Sequence, residues 1–335
     1  MSKGRDGKMS NKEENKRDFQ FEMVWYDDDR KSTKRFVIND PEQYKIINKA
    51  QAEAYAKKME QESDRIKDTR GDFLMGKNEN IKSLETKGIT VSDRRHFMQL
   101  VLYAQFNGEP LKKNGISLTT MMIAEDIWKI SRENASRKLN KFVKHGLLEK
   151  VKEGKQNYFI LNEFYFQMGK TNNRGEKFVK LFKNKLAEII NNVEKIQDAA
   201  NRRAKRTKKL EIIDVIGLLH AVMPYFHYQT YYLVKNPDDN ILEENETVLD
   251  AMNRDRTQLK HLSKSQIGRI LGHKNANLAT IDKYMDYLQK AGAVMVMTNN
   301  NKTRYLIHPD LMFRMNTNGL DDYTEYVRAS FNQHS

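Results

Sequence analysis

The stretch LTTMMIAEDIWKISRENASRKLNKFVKHGLLEKVKEGKQNYFILNEFYF, residues 118–166, decides how the rest of the chain is read. Thr119 or Thr120 is placed to cap a short helix carrying Ile123, Ala124 and Ile127. Ile130-Ser131 makes a turn, and Ser131 caps a second helix over residues 132–145. Along that helix Ala135, Leu139, Phe142 and Val143 recur at i, i+4, i+7 and i+8, which places them on one face. Gly146 ends it with a left-handed cap. The runs 147–152 and 157–161 then flank the turn Glu153-Gly154-Lys155-Gln156 and predict a β-hairpin. Opposite Leu139 the second helix carries Asn134, Arg137, Lys138, Lys141 and Lys144.

The same order recurs near the C-terminus. Ser263 caps a helix with Ile267, Gly268, Ile270 and Leu271, and Gly272-His273 makes the turn. A second helix starts near Asn277, with Ile281, Tyr284, Met285 and Leu288 inward, and Gly292 ends it. Residues 293–298 and 303–307 flank a turn at 299–302. Gly268 takes the place of Ala124, where a small residue lets two helices pack closely. The exposed face offers Ala276, Ala279, Thr280, Lys283 and Tyr287, and is less basic than in the first copy.

Helix, turn, helix, hairpin is the order of a winged helix-turn-helix, and both segments resemble that DNA-binding superfamily. The resemblance rests on Ala124, Ile130-Ser131, Arg137 with Leu139, and Gly146-Leu147-Leu148 leading into the wing. It implies that the N-terminal part of each second helix enters a major groove. Arg and Lys donate to guanine, and Asn pairs with adenine, on major-groove edges. Asn134, Arg137, Lys138, Lys141, Thr280 and Lys283 are therefore the expected base readers. Thr120, Ser131, Arg132, Lys144, Lys152, Lys155, Lys302 and Arg304 are the expected backbone contacts.

Charge points the same way. The chain has 335 residues, with 59 Lys and Arg against 45 Asp and Glu, a net +14. Residues 170–209 hold thirteen bases and four acids, and Arg202, Arg203, Lys205 and Arg206 form the densest part. Such a surplus favours an anionic partner, with nucleic acid first among them. By contrast, residues 238–250 hold six acids and no base.

Working outward, residues 1–18 read as a disordered basic tail. Phe19, Phe21, Met23 and Trp25 alternate, as do Phe36 and Ile38, predicting a hairpin around a turn at 27–32. A helix runs from the N-cap Asp40 to about Asp68, and residues 70–92 read as a loop. A first winged unit spans 93–168. From Gly175 a long helix is expected, its stripe made of Phe178, Leu181, Phe182, Leu186, Ile189, Val193 and Ile196, with Lys177, Lys180, Lys205 and Arg206 on the far side. Another spans 210–234 with a kink at Pro224, so that 170–235 is a basic helical linker. An acidic loop covers 236–260, the second winged unit 261–316, and a tail 317–335. The expected fold is mainly α with small hairpin wings: two winged domains joined by long helices, plus an N-terminal hairpin and helix.

Several chemistries are excluded. Zero cysteine removes disulfides, thiolate zinc, iron–sulfur clusters and a cysteine nucleophile. The near P-loop from Gly71 to Asn78 lacks the Ser or Thr for magnesium and a preceding apolar strand. The eight histidines form no HExxH, no His-hydrophobic-His pair and no HxxR, arguing against a metalloprotease, a rolling-circle nickase and a tyrosine recombinase. His220 and His227 read as buried groups and not metal ligands. No cofactor, no enzymatic activity and no membrane partner are expected, and a soluble bacterial cytoplasmic protein is the default. The tandem layout resembles plasmid and phage replication initiators, which bind origin repeats, recruit host replication proteins and repress their own promoter. A transcription regulator of a mobile element fits the same residues. A partition or packaging protein and a recombination enzyme stay open, and a homodimer is a candidate assembly.

Overall fold

The computed structural model describes residues 19–27, 30–38, 52–53, 55–56, 59, 69–169, 177–203, 211–255, 257–272, 278–299, 302–314 and 319–333. The chain divides into two compact units, 1–63 and 64–335. In the first, β1 (Phe19–Asp27) pairs antiparallel with β2 (Arg30–Ile38). The hairpin is tighter than the sequence suggests, because the ladder runs on to pair Asp27 with Arg30. Of the helix expected over 40–68, residues 52–53, 55–56 and 59 are helical. The rest of it, like the tail 1–18, lies outside the described residues.

The second unit is a mixed α/β body with small antiparallel sheets, helix outweighing strand. At its centre lies a four-stranded sheet that the sequence reading did not contain. β3 (Phe73–Lys77) and β9 (Phe178–Phe182) are its inner strands. β8 (Phe166–Gln167) lies outside β3, and β12 (Met312–Phe313) outside β9. Two expectations fail here. The supposed loop 70–92 holds β3, a short helix α1 (Asn78–Lys82) and a 3-10 turn. The long helix from Gly175 begins with a strand: Phe178, Leu181 and Phe182 sit on β9, and helix α5 (Lys183–Arg203) starts only after it. Spacings of three and four made these residues look helical. In the sheet, Val179, Leu181 and Phe182 are buried while Phe178 and Lys180 are half-buried.

The register of the sheet discloses an internal two-fold. Gly76 of β3 pairs with Phe166 and Met75 with Gln167, while Leu181 of β9 pairs with Met312 and Lys180 with Phe313. Backbone bonds repeat in step. Asn78 N donates to Lys177 O at 3.2 Å, and Lys183 N donates to Asp72 O at 2.9 Å. Lys77 N donates to Tyr165 O at 2.9 Å, and Phe182 N to Leu311 O at 3.0 Å. Further out, Leu111 N reaches Phe159 O at 2.8 Å, and Leu233 N reaches Tyr305 O at 3.0 Å. Residues 70–169 and 177–314 are thus two copies of one plan, related by an axis between β3 and β9.

Each copy follows its inner strand with helices. In the first, α2 (Val91–Val101) opens on a capping box in which Thr90 accepts from Asp93 N. In the second, a 3-10 turn leads into α6 (Val215–Val222), which packs against α2. Gly217 makes this possible: a Cβ there would lie 2.0 Å from the Val91 carbonyl oxygen. The expected helix through residue 234 ends earlier than predicted. Pro224 has no N–H to continue the ladder, and a 3-10 turn, Met223–Tyr225, closes it. Beyond it Tyr232 and Val234 form bridges with Leu306 and His261. The stretch read as a linker therefore supplies the inner strand and first helices of the second copy.

The rest of each copy matches closely. β4 (Lys112–Lys113) and β5 (Ile116–Ser117) pair before helix α3 (Thr120–Met122), which continues as one wide π-turn, Ile123–Trp128. Then come α4 (Arg132–Lys144), β6 (Leu148–Glu153) and β7 (Gln156–Leu161). In the second copy helix α7 (Val248–Arg254) precedes α8 (Lys264–Ile270), α9 (Leu278–Lys290), β10 (Val294–Asn299) and β11 (Lys302–Ile307). Helices α4 and α9 are both 13 residues, and all four hairpin strands are six. Helix α10 (Asp322–Gln333) closes the chain, with Tyr323 OH donating to Thr230 O at 3.0 Å. Among the described residues no helix is long and apolar enough to cross a membrane.

Candidate nucleic-acid interface

Helix α4 is fixed at both ends by local chemistry. Ser131 caps it, its hydroxyl accepting from Asn134 N at 3.3 Å, and Gly146 follows at φ 71°. Thr119, not Thr120, caps α3, accepting from Met122 N at 3.4 Å; Thr120 is half-buried at the first helical position. Ala135, Leu139 and Phe142 of α4 are buried, with the Phe142 ring edge-on to Phe97 and to Trp128. Trp128 is held by its indole N–H, which donates to His96 O at 3.0 Å.

The outer face divides in two. Asn134 and Arg137 are exposed, and Arg137 Nη2 donates to Asn134 Oδ1 at 3.1 Å. That bond holds the guanidinium at the N-terminal end of the helix with its remaining donors outward. Lys138 and Lys141, expected beside them as base readers, are half-buried. Their ammonium groups meet Asp93 on α2, at 3.1 Å to Oδ1 and 2.6 Å to Oδ2, and Lys141 also donates to Gly88 O at 3.0 Å. Burial alone would raise the Asp93 pKa. Hydrogen bonds from Lys141, Thr90 and Lys138 outweigh it and hold the carboxyl well below the usual carboxylate range. Arg132 and Lys144 are exposed at the two ends of α4. On the hairpin, Lys152 and Lys155 are exposed, Lys155 following Gly154 in the two-residue turn between Glu153 and Gln156.

The second copy repeats the frame with other side chains. Ile281, Met285 and Leu288 are buried where Ala135, Leu139 and Phe142 are. Thr280 and Lys283 take the places of Asn134 and Arg137; Thr280 is half-buried and Lys283 exposed. Tyr284 and Tyr287 replace Lys138 and Lys141, and the position matching Asp93 is the buried Val215. The ionic docking of α4 thus becomes apolar docking of α9. Lys302 is exposed on the second hairpin, and Arg304 is half-buried and bonded to the Tyr232 hydroxyl. Burial, with the positive charge of Arg304 and His227 nearby, holds the His261 imidazole down to about 4.

The basic run is reached only in part. Arg202 is exposed near the end of α5, its Nε donating to Asp198 O at 3.3 Å. Arg203 ends the helix, and Lys205 and Arg206 lie outside the described residues. Beside the N-terminal half of α4 is a cleft of about 470 Å³. Asn134, Arg137 and Lys138 line it, together with Arg95, Lys129, Glu194, Asp198, Glu211 and Asp214. Asp214 is bound by Arg95 at 3.2 Å. Glu194 is bound by Lys129 at 3.7 Å.

One participant, Asp93, was not among the residues that the sequence singled out. Thr90-Val-Ser-Asp93 carries a capping-box signature, so the first role of Asp93 had a sequence signal. Its reach to lysines 45 and 48 residues away had none. No protein family, curated protein or solved structure matches this chain.

Proposed function

We propose that the chain binds duplex DNA at specific sequences through two winged helix-turn-helix units, α3–α4–β6–β7 and α8–α9–β10–β11. The observation that carries this reading is the repetition of one plan with its outward positions kept polar. Both copies present a 13-residue helix whose first turns carry hydrogen-bonding side chains, Asn134 and Arg137 exposed in one, Thr280 half-buried and Lys283 exposed in the other. Each helix is followed by a two-stranded hairpin of the same length. A single helix fits the major groove, about 12 Å wide, and Arg is the commonest donor to guanine O6 and N7 there. Two such helices on one rigid frame suit a site with two parts. The tandem layout resembles plasmid and phage replication initiators, and origin binding with repression of its own promoter is the role we assign.

Selection of bound sites from random duplex tests the reading. Sites that map to repeated elements of an origin support initiation, and sites at promoters alone replace it with regulation. Within a selected site, Arg137→Ala is expected to weaken binding by about 1–3 kcal/mol while sparing random duplex. Equal losses on selected and random duplex, measured by fluorescence anisotropy, would remove Arg137 from base reading.

A further inference from the structure

Because the two copies share a frame, their surfaces can be compared position by position, and one region has diverged sharply. It is the groove between the first helix of each helix-turn-helix and the hairpin. In the first copy Ile116, Met121, Glu125, Gln156 and Tyr158 line it, with Asp126 beside them. Ile116 and Met121 are 62% and 51% exposed. Counting from the N-caps Thr119 and Ser263, the counterparts of Ile116, Met121 and Glu125 are Lys260, Ser265 and Arg269. Counting from the hairpin ladders, Gln156 and Tyr158 become Lys302 and Arg304. Ser265, Lys302 and Arg304 line one cleft. Arg269 follows Ser265 by four residues on the same helix and so stands on the same face. Lys260, Arg269 and Lys302 are exposed. Lys264 also borders the cleft, but it is paired with Asp282 at 2.7 Å and is not counted among them.

We infer that the α8–β11 groove is the protein's main track for the DNA backbone and that its counterpart in the first copy keeps phosphates out. The inference rests on the duplex-binding reading above. It assigns Lys260 and Arg269 a role that their sequence positions did not suggest. It also divides the work: Arg137 and Asn134 discriminate bases in the first copy, and the second copy supplies most of the backbone grip. The electrostatics favour this. Lys302 and Arg304 line the groove, and Lys260 and Arg269 hold the positions that match Ile116 and Glu125, whereas the first-copy surface offers two carboxylates with the exposed Ile116 and Met121. Each neutralised phosphate steepens the salt dependence of binding, because a condensed counterion is released.

The test uses the full chain and a duplex selected by the wild type, with affinity measured across a series of salt concentrations. Lys260→Ile, Arg269→Glu, Lys302→Gln and Arg304→Tyr together install the first-copy surface on the second copy. The slope of log affinity against log salt is expected to fall by about 3.6, at roughly 0.9 per contact. The reverse set, Ile116→Lys, Glu125→Arg, Gln156→Lys and Tyr158→Arg, is expected to steepen it. Arg304 is bonded to Tyr232, so the exposed pair Lys260→Gln and Arg269→Gln serves if the fourfold variant does not fold; its expected drop is about 2. An unchanged slope in a folded variant overturns the assignment. So does a larger drop from Lys152→Gln with Lys155→Gln on the first hairpin. A wild-type chain that binds no duplex at any salt overturns the DNA-binding reading itself, an outcome distinct from either of these.

Discussion

Asp93 carries two tasks on one carboxylate. It closes the capping box of α2 and anchors the outer helix α4 through Lys138 and Lys141. Charged hydrogen bonds of this kind are worth about 1.5–3 kcal/mol each when removed. The lysines are partly solvated, so Asp93→Asn is expected to cost the lower end of that range. The pH dependence follows from the depressed pKa. In the unfolded chain Asp93 titrates near 3.9, and in the folded chain it titrates lower. Its stabilisation is therefore fully present above about pH 4 and is lost as pH falls toward the folded value. Thermal melts should show the gap between wild type and Asp93→Asn widest at neutral pH and closing below about pH 4. A gap that stays constant down to pH 3 would mean that Asp93 acts through shape alone. The same geometry decides which cations of α4 stay open to solvent. Lys138 and Lys141 are half-buried against a carboxylate, and Arg137, one position before Lys138, is exposed.

At the scale of elements, the crossing of α2 and α6 holds the two copies together. Gly217 lies against the Val91 carbonyl, and a backbone atom cannot rotate away as a side chain can. Gly217→Ala is expected to cost about 3 kcal/mol, the upper part of the range for overpacking, despite the better helix propensity of alanine. Urea unfolding checks it; a change under about 0.5 kcal/mol would show that the helices slide apart freely. This crossing also marks the limit of what the sequence discloses. Helices α4 and α9 and the hairpins after them were legible, since Ala135, Leu139 and Phe142, like Ile281, Met285 and Leu288, recur at helical spacing and end on a glycine. The central sheet was not legible. Its strands are two or five residues long, and their partners lie up to 133 residues away. β3 sits among glycines and reads as a loop. β9, Phe-Val-Lys-Leu-Phe, fits helical and strand periodicity equally well, and only pairing with β3 decides between them. Nor does local sequence show that Lys138 and Lys141 face a carboxylate.

For the whole molecule, the shared sheet means that neither copy is complete alone. Cutting the chain between residues 169 and 177 separates β3 from β9 and α2 from α6. Fragments 64–169 and 177–335 are each expected to lack a cooperative melting transition, and their equimolar mixture to regain one. A sharp transition in either fragment by itself would show that the copies fold as independent domains. The two-fold is also incomplete at its most crowded point. Tyr103 and Tyr225 hold equivalent places, accepting from Lys112 N at 3.0 Å and Val234 N at 2.8 Å. Eight residues before them stand Arg95 and Gly217. A first copy set against another first copy would thus bring the Cβ of Arg95 to where only glycine fits. The halves have become complementary, like the two sides of a clasp, and can no longer pair with themselves. If chains ever exchanged halves, every new contact would still join a first copy to a second copy, so a reciprocal exchange closes a pair, whereas a head-to-tail exchange leaves one half of each kind open to a further chain.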